Sequence, residues 1–320
     1  MKRHTTLFLT ALLAFLLTGC IKEDRSDCHR SFTLLFRYEG DGTTDIFRDK
    51  VSQVDLYVYE VESRKLLRQY QLNEAELNEL QGIRLDDLEP GTYEAVCWGN
   101  AYESSGTAVE EHRDQALMAA PEWHAGQDVD TNDELYHAVK TFTITNAYVD
   151  QQELCLFNCA HIDLTVRLEG FGQEVVVPVG TRAEGDCPVG LRLENMPGHY
   201  DFGMTVLDEE TTYRPALAVA ADDETAYVSA SHTLRFTDDC AAALHLTNPE
   251  TDETFYTLSI SQFLADNDLS VEDHQEVAVD ILLRLNTDGV SVTVVPFEDE
   301  DIQPGLDERT IRREEGNGYE

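Results

Sequence analysis

The sequence predicts an all-β chain, built as two tandem antiparallel β-sandwiches with one minor helical insertion. Three observations carry that prediction. Apolar residues alternate along short segments, as at Phe32, Leu34 and Phe36 and at Val54, Leu56 and Val58, the period of strands with one buried face. Two separate segments recur with their starts offset by 108 residues: Val54-Asp55-Leu56-Tyr57-Val58 as Ile162-Asp163-Leu164-Thr165-Val166, and Ile83 to Tyr93 as Leu191 to Tyr200, one residue shorter before the Pro-Gly. The pattern closes on a hairpin, Glu276–Leu285 and Val290–Phe297 alternating on either side of Asn286-Thr287-Asp288-Gly289. That offset is too long for a solenoid repeat and suits a duplicated domain.

The elements follow in chain order. Lys2 and Arg3 precede an apolar run, Leu7 to Leu17, interrupted only by Thr10. It is too short to span a bilayer and has the layout of a secretory signal peptide. Its end, Leu17-Thr18-Gly19-Cys20, resembles the bacterial lipobox, with small residues before a cut between Gly19 and Cys20 and the thiol of Cys20 as the lipid acceptor. Two or more acyl chains there give lasting membrane attachment where one would be marginal. Lys22-Glu23-Asp24 looks like the basic-acidic-acidic signal that sends some lipoproteins to the cell surface. Asn73 is placed to cap a short helix, with Glu76 completing a capping box, Leu77 and Leu80 facing inward and Gly82 ending it. Pro90-Gly91 and Pro197-Gly198 read as repeated turns leading into Tyr93 and Tyr200, with proline fixing φ and glycine supplying a positive one. The chain therefore divides into a signal peptide (1–19), a lipidated tether (20–30), an N-terminal sandwich (31–160), a C-terminal sandwich (161–297) and an acidic polar tail (298–320).

Composition excludes several roles. Sixty-two acidic against 23 basic residues in 320 give a net charge of −39, which repels phosphate backbones and anionic lipid headgroups, so no nucleic-acid partner is expected. A hydrophobic content of 42% is too high for disorder. Apart from Cys20, six cysteines in an exported chain are disulfide candidates: Cys28, Cys97, Cys155, Cys159, Cys187 and Cys240. Six allow 15 pairings, and none is singled out. Four apart on a strand, Cys155 and Cys159 are about 13 Å from each other and cannot bond.

Catalytic and metal motifs are not found: there is no His-Glu-x-x-His, nucleophile elbow, phosphate loop or dinucleotide fingerprint. No catalytic residue, metal ligand or cofactor is therefore assigned. Asp128 to Asp133 opens like a calcium loop, but it lacks glycine at the sixth position and has Val139 at the twelfth, so a solvated loop is the better account. His112, His124 and His137 have no ligand spacing. Trp98 falls where core packing is expected, and Trp123 in a loop where a glycan could stack, although one tryptophan makes no platform.

The lipobox cysteine, Ser26-Asp27-Cys28, Val54-Asp55-Leu56-Tyr57-Val58-Tyr59, Leu88-Glu89-Pro90-Gly91-Thr92-Tyr93 and Cys97-Trp98-Gly99-Asn100 together resemble the FimB/Mfa-type fimbrial anchor lipoproteins, relatives of the fimbrillins, over most of the exported chain. The resemblance implies two transthyretin-like β-sandwiches, no enzymatic activity, no cofactor beyond the lipid on Cys20, an outer-membrane location and pilin subunits as partners. Such anchors hold a fibre to the membrane, and related pilins polymerise by giving a strand to a neighbour's groove. Ile302, Leu306 and Ile311 in the tail do not alternate as a donated strand would, which suits a terminal subunit. A second reading is a surface lipoprotein that binds a glycan or host ligand on the same scaffold. A third is an enzyme or a metal-dependent adhesin using Asp128–Glu134.

Overall fold

A computed structural model of the chain describes residues 31–145, 149–171, 187–207, 210–286 and 289–296, the last stretch by its backbone alone. The all-β sandwich class read from the sequence is what the chain has. Its first half runs β1 (Phe32–Arg37), helix α1 (Phe47–Lys50), β2 (Val54–Glu60), β3 (Leu66–Leu72), helix α2 (Glu74–Glu79), β4 (Gly82–Arg84), β5 (Gly91–Gly99), β6 (Gly106–Ala108), β7 (Leu117–Ala119), helix α3 (Pro121–His124), β8 (Tyr136–Ile144), β9 (Gln151–Leu156) and β10 (Asn158–Cys159). Here a sheet of order β4-β1-β9 packs on one of order β10-β8-β5-β2-β3 around a core that includes Phe32, Phe36, Val54, Leu56 and Phe142. The second half runs β11 (His161–Glu169), β12 (Gly190–Pro197), β13 (His199–Asp201), β14 (Glu210–Tyr213), β15 (Ala218–Val219), β16 (Tyr227–Leu234), β17 (Ala243–Thr247), β18 (Thr254–Ser259), helix α4 (Ile260–Asp266), β19 (Ala278–Asn286) and β20 (Gly289–Pro296). Sheets β15-β16-β11-β19-β20 and β14-β12-β17-β18 enclose its core.

Among the described strands, pairing is antiparallel except for β1 with β9 and β11 with β19. In each half the entering strand is thus gripped in parallel by a late one. Alternation reports which face is buried and not strand direction, so the sequence was silent on this. Gln151–Leu156, Asn158–Cys159 and His161–Glu169 form an almost continuous extended run from one sandwich to the other, broken only at Phe157 and Ala160.

The first half has an unusual central sheet. Along β2, Val54, Leu56 and Val58 enter the inner core, while Tyr57 and Tyr59 on the opposite face enter a second one. β5 does the same, sending Ala95 and Cys97 inward and Val96 and Trp98 outward. The outer face is covered by the small sheet β13-β7-β6 and the turn after it, which place Met118, Tyr200 and Phe202 against Trp98. Trp98 is fully buried, its ring 6.0 Å from Tyr200 and 6.2 Å from Phe202. β7 belongs to the first half and β13 to the second, and they pair through Ala119, Met118 and Leu117.

The repeated turn therefore has two fates. After Pro90-Gly91 the chain enters β5, and the Tyr93 hydroxyl donates to the Glu89 carbonyl oxygen at 2.7 Å. After Pro197-Gly198 it leaves the sandwich for β13, where Tyr200 becomes part of the junction. Neither glycine supplies the expected positive φ. At Gly91 the missing Cβ makes room instead, since one would meet the Tyr93 ring hydroxyl at 3.0 Å. The Asn73 capping box on α2 forms as read, with Leu77 buried. Gly82 starts β4 rather than only ending the helix: a Cβ there would lie 2.3 Å from the Leu34 carbonyl oxygen on β1.

Removing the Trp98 indole should open a cavity between the two halves. Trp98→Ala is expected to lower unfolding free energy by about 3–5 kcal/mol, measured by denaturant titration. It should also expose the segment between Phe157 and His161 to protease. A loss below about 1 kcal/mol would mean that the junction is not a packed core.

Candidate functional site: the domain junction and an open sheet edge

β8 and β9 border one side of the first sandwich, in opposite sheets. β10 pairs with β8 only at Tyr136 and His137, so beyond that point the outer edge of β8 has no strand partner among the described residues. Among the described residues β9 is paired on one side alone, to β1. The two edges face each other, and the Lys140 ammonium meets the Glu153 carboxylate across the gap at 3.0 Å. Lys140 shares its strand face with the inward-pointing Ala138 and Phe142, and Glu153 shares its with buried Cys155. Charges turned inward at a sheet edge are a standard guard against uncontrolled strand addition.

Outside this pair the edge mixes exposed apolar side chains with exposed Thr141, Thr143 and Gln152. Val139, Leu154 and Leu156 are 39%, 44% and 49% exposed. Val139 and Leu156 open into a groove of about 620 Å³ lined also by His137, Asn158, Met204 and Val206. β10 blocks the near end of the β8 edge, so the groove marks where an added strand would stop.

The two halves are also joined by polar contacts. The loop read as solvated, Asp128 to Asp133, lies between them: Asp128 accepts from the Arg214 guanidinium at 2.5 Å, Asp130 from the Ala216 N–H at 3.2 Å and Asp133 from the Tyr102 N–H at 2.9 Å. Its carboxylates are each committed to a different partner, which removes the case for a calcium loop. Asn132 donates to the buried Tyr213 hydroxyl at 2.6 Å, and the Tyr200 hydroxyl donates to the Ala160 carbonyl oxygen at 3.1 Å. Trp123 sits in α3, half-buried against the second core with its ring 4.2 Å from that of His199, and offers no free platform.

Cys97, Cys155, Cys159 and Cys240 are free thiols, contrary to the expectation of disulfides among them. Cys97, Cys155 and Cys159 serve as small apolar residues in the first core, and Cys187 is buried in the second. Burial, with Cys155 as hydrogen-bonding neighbour, pushes the Cys97 thiol well up. Gly19, Cys20, Lys22, Glu23, Asp24 and Cys28 lie outside the described residues, as does the tail 298–320.

Sequence reasoning missed one cluster. His161, Asp163 and His232 come together at the junction, with the ligand atoms of the three within 4.8 Å of one another. His161-x-Asp163 signals two side chains on one strand face. His232 joins them only through register, opposite Asp163 on β16, and no spacing in the sequence encodes that.

The sequence profile of the fimbrillin-A associated anchor proteins Mfa1 and Mfa2 matches residues 25–301. The chain belongs to that family. No curated protein matches it. Among solved structures, the fimbrial anchor protein Mfa2 from Porphyromonas gingivalis is similar at 15% identity and a TM-score of 0.61, covering 83% of this chain and 95% of that one. A Bacteroides thetaiotaomicron protein described as a candidate polysaccharide-binding protein is similar at 17% identity and a TM-score of 0.63, covering 84% and 98%. A candidate adhesin from Bacteroides ovatus is similar at 13% identity and a TM-score of 0.66, covering 83% and 93%. At these identities the structures show the shared β-sandwich fold. Membership of the anchor family carries a fimbrial accessory or adhesin role at the cell surface, and points to a structural rather than a catalytic part.

The junction also carries a pH-sensitive group. His137 is buried beside Trp98, and its Nε2 lies 3.2 Å from the Phe202 carbonyl oxygen. Burial pushes its pKa down to about 4, the Arg113 charge adding to the effect and the Phe202 carbonyl opposing it. The unfolded chain takes up this proton below about pH 6.5 and the folded chain only near pH 4, so stability falls as pH drops across that window. His137 should account for about 3 kcal/mol of the loss. Unfolding titrations at pH 7 and pH 4.5 should show His137→Gln losing about 2 kcal/mol less than the wild type; equal losses would contradict the assignment.

Proposed function

We propose that the protein is the anchor subunit of a surface fimbria. Lipid on Cys20 holds it in the outer membrane, with Lys22-Glu23-Asp24 directing it to the cell surface. The first pilin joins it by a strand laid along the free edge of β8. The observation that carries this reading is the pairing of family membership with an edge that has no strand partner among the described residues and ends in a groove where Val139 and Leu156 are exposed.

The physical steps are those of β-augmentation. A strand beside β8 would pair with the free backbone groups past His137, while alternate side chains would cover Val139 and Leu156. Lys140 and Glu153 would part to admit it, which discourages pairing with sequences that do not repay the broken ion pair. The tether places the lipid at the N-terminal side of β1, and β1 is bound along its length to β9. Tension from a fibre pulling on the β8–β9 side would therefore pass to the tether through a parallel ladder. Shear across such a ladder loads several hydrogen bonds together. A structural part of this kind requires no catalytic residue and no cofactor beyond the lipid.

Two variants separate attachment from pilin capture. Cys20→Ala should leave the membrane fraction and still capture pilin, and its retention in the membrane would contradict lipidation. Val139→Asp with Leu156→Asp changes only exposed side chains, so the protein should fold and stay in the membrane while co-purifying with at least tenfold less pilin. Wild-type pilin recovery with the double variant would contradict the β8 edge as the docking site.

A further inference from the structure

We infer that His161, Asp163 and His232 form a divalent transition-metal site of the Zn²⁺ type at the junction of the two halves. His161 and Asp163 stand two apart on β11 and share the face turned away from the second core. His232 lies directly across from Asp163 on β16. The His161 Nε2 is 3.4 Å from Asp163 Oδ1 and the His232 Nδ1 is 2.8 Å from the same oxygen. Ligands at 2.0–2.2 Å from a tetrahedral ion lie about 3.4 Å apart, so the first pair already has the spacing of a tetrahedral edge. The second must open by about half an ångström, exchanging a hydrogen bond for coordination.

The surroundings are those of a metal site. A ligating histidine usually gives its other ring N–H to a carbonyl or carboxylate, which fixes the tautomer and aims the free nitrogen at the ion. The His161 Nδ1 is 3.0 Å from the Leu135 carbonyl oxygen, leaving Nε2 for the metal. The His232 Nε2 is 3.8 Å from the Glu134 carboxylate, leaving Nδ1. Leu135 of the first half thus holds the His161 imidazole, and the neighbouring Glu134 carboxylate stands close to that of His232. Cys159 lies nearer the held side of His161, its Sγ 3.3 Å from Nδ1 and 4.0 Å from Nε2.

Two nitrogens and one carboxylate select a borderline ion such as Zn²⁺ over Ca²⁺ or Mg²⁺, which prefer all-oxygen shells. Three protein ligands leave a fourth position for water. His161 is buried, while Asp163 and His232 are partly exposed, so an ion can enter from solvent. Bound there, it would tie β11 and β16 together beneath the Glu134–Leu135 segment and stiffen the junction.

Titration of Zn²⁺ into the full chain, freed of metal by chelation, tests this. One ion per chain is expected to bind and to raise the midpoint of thermal unfolding, with no saturable binding of Ca²⁺. His232→Ala and Asp163→Asn, both at partly exposed positions, should each weaken Zn²⁺ binding at least tenfold while unfolding cooperatively without metal. No saturable Zn²⁺ binding would overturn the site. So would binding that is unchanged in both His232→Ala and Asp163→Asn, which would place the ion on other histidines.

Discussion

The rest of the structure depends on burying both faces of the β2–β5 sheet. A sheet in an ordinary sandwich turns one face to water. Here that face carries Tyr57, Tyr59, Val96 and Trp98, which would be a large exposed apolar patch in an isolated domain. The second half covers it with Tyr200, Phe202 and Leu234. Each large side chain buried this way contributes about 1.5–3 kcal/mol, so the two halves gain more by staying together than a flexible linker would allow. The polar bonds of Asn132, Tyr213, Tyr200 and Ala160 then fix their angle. A rigid body is what a fibre anchor needs, because a hinge between lipid and fibre would dissipate tension as bending.

The same junction explains why one side is left open. β13 and the turn after it come from the second repeat's Pro-Gly segment and press on the outer face near Trp98 and His137. β10 fills the β8 edge only at Tyr136 and His137 before the chain crosses over to become β11. Past that crossing the outer edge of β8 has no strand neighbour among the described residues. The charged coat fits this arrangement. With a net charge of −39 the body is repelled from an anionic membrane surface, so on the proposed lipid anchor it would project outward. Val139, Leu156 and Val206 bring three of its exposed apolar side chains to one groove.

Much of the fold was legible because strand alternation and turn chemistry are local. Val54-Asp55-Leu56-Tyr57-Val58 shows a buried face directly, and Asn73 with Glu76 specifies a cap within four residues. What failed was non-local. Alternation in β2 does not say that the Tyr57 face is buried too, since tyrosine is common on wetted faces. The repeat at Pro197-Gly198 preserves its residues while the following strand pairs elsewhere, with β7. The same repeat places an aspartate at Asp55 and at Asp163. In the first copy, burial holds the carboxyl above its usual range; in the second, burial is outweighed by His161 and His232, which hold it low. Nothing in five matched residues distinguishes those outcomes. The cysteines were counted correctly, but compartment alone does not bring sulfurs together.

The proposed anchor ends a fibre at the membrane. Deleting the gene and imaging the surface fibres by electron microscopy tests it most directly, with pilin in the medium measured in parallel. Fibres should then be detached or altered in length, with pilin shed into the medium and both effects reversed by restoring the intact gene. Fibres of unchanged length, still attached and with no shed pilin, would contradict it.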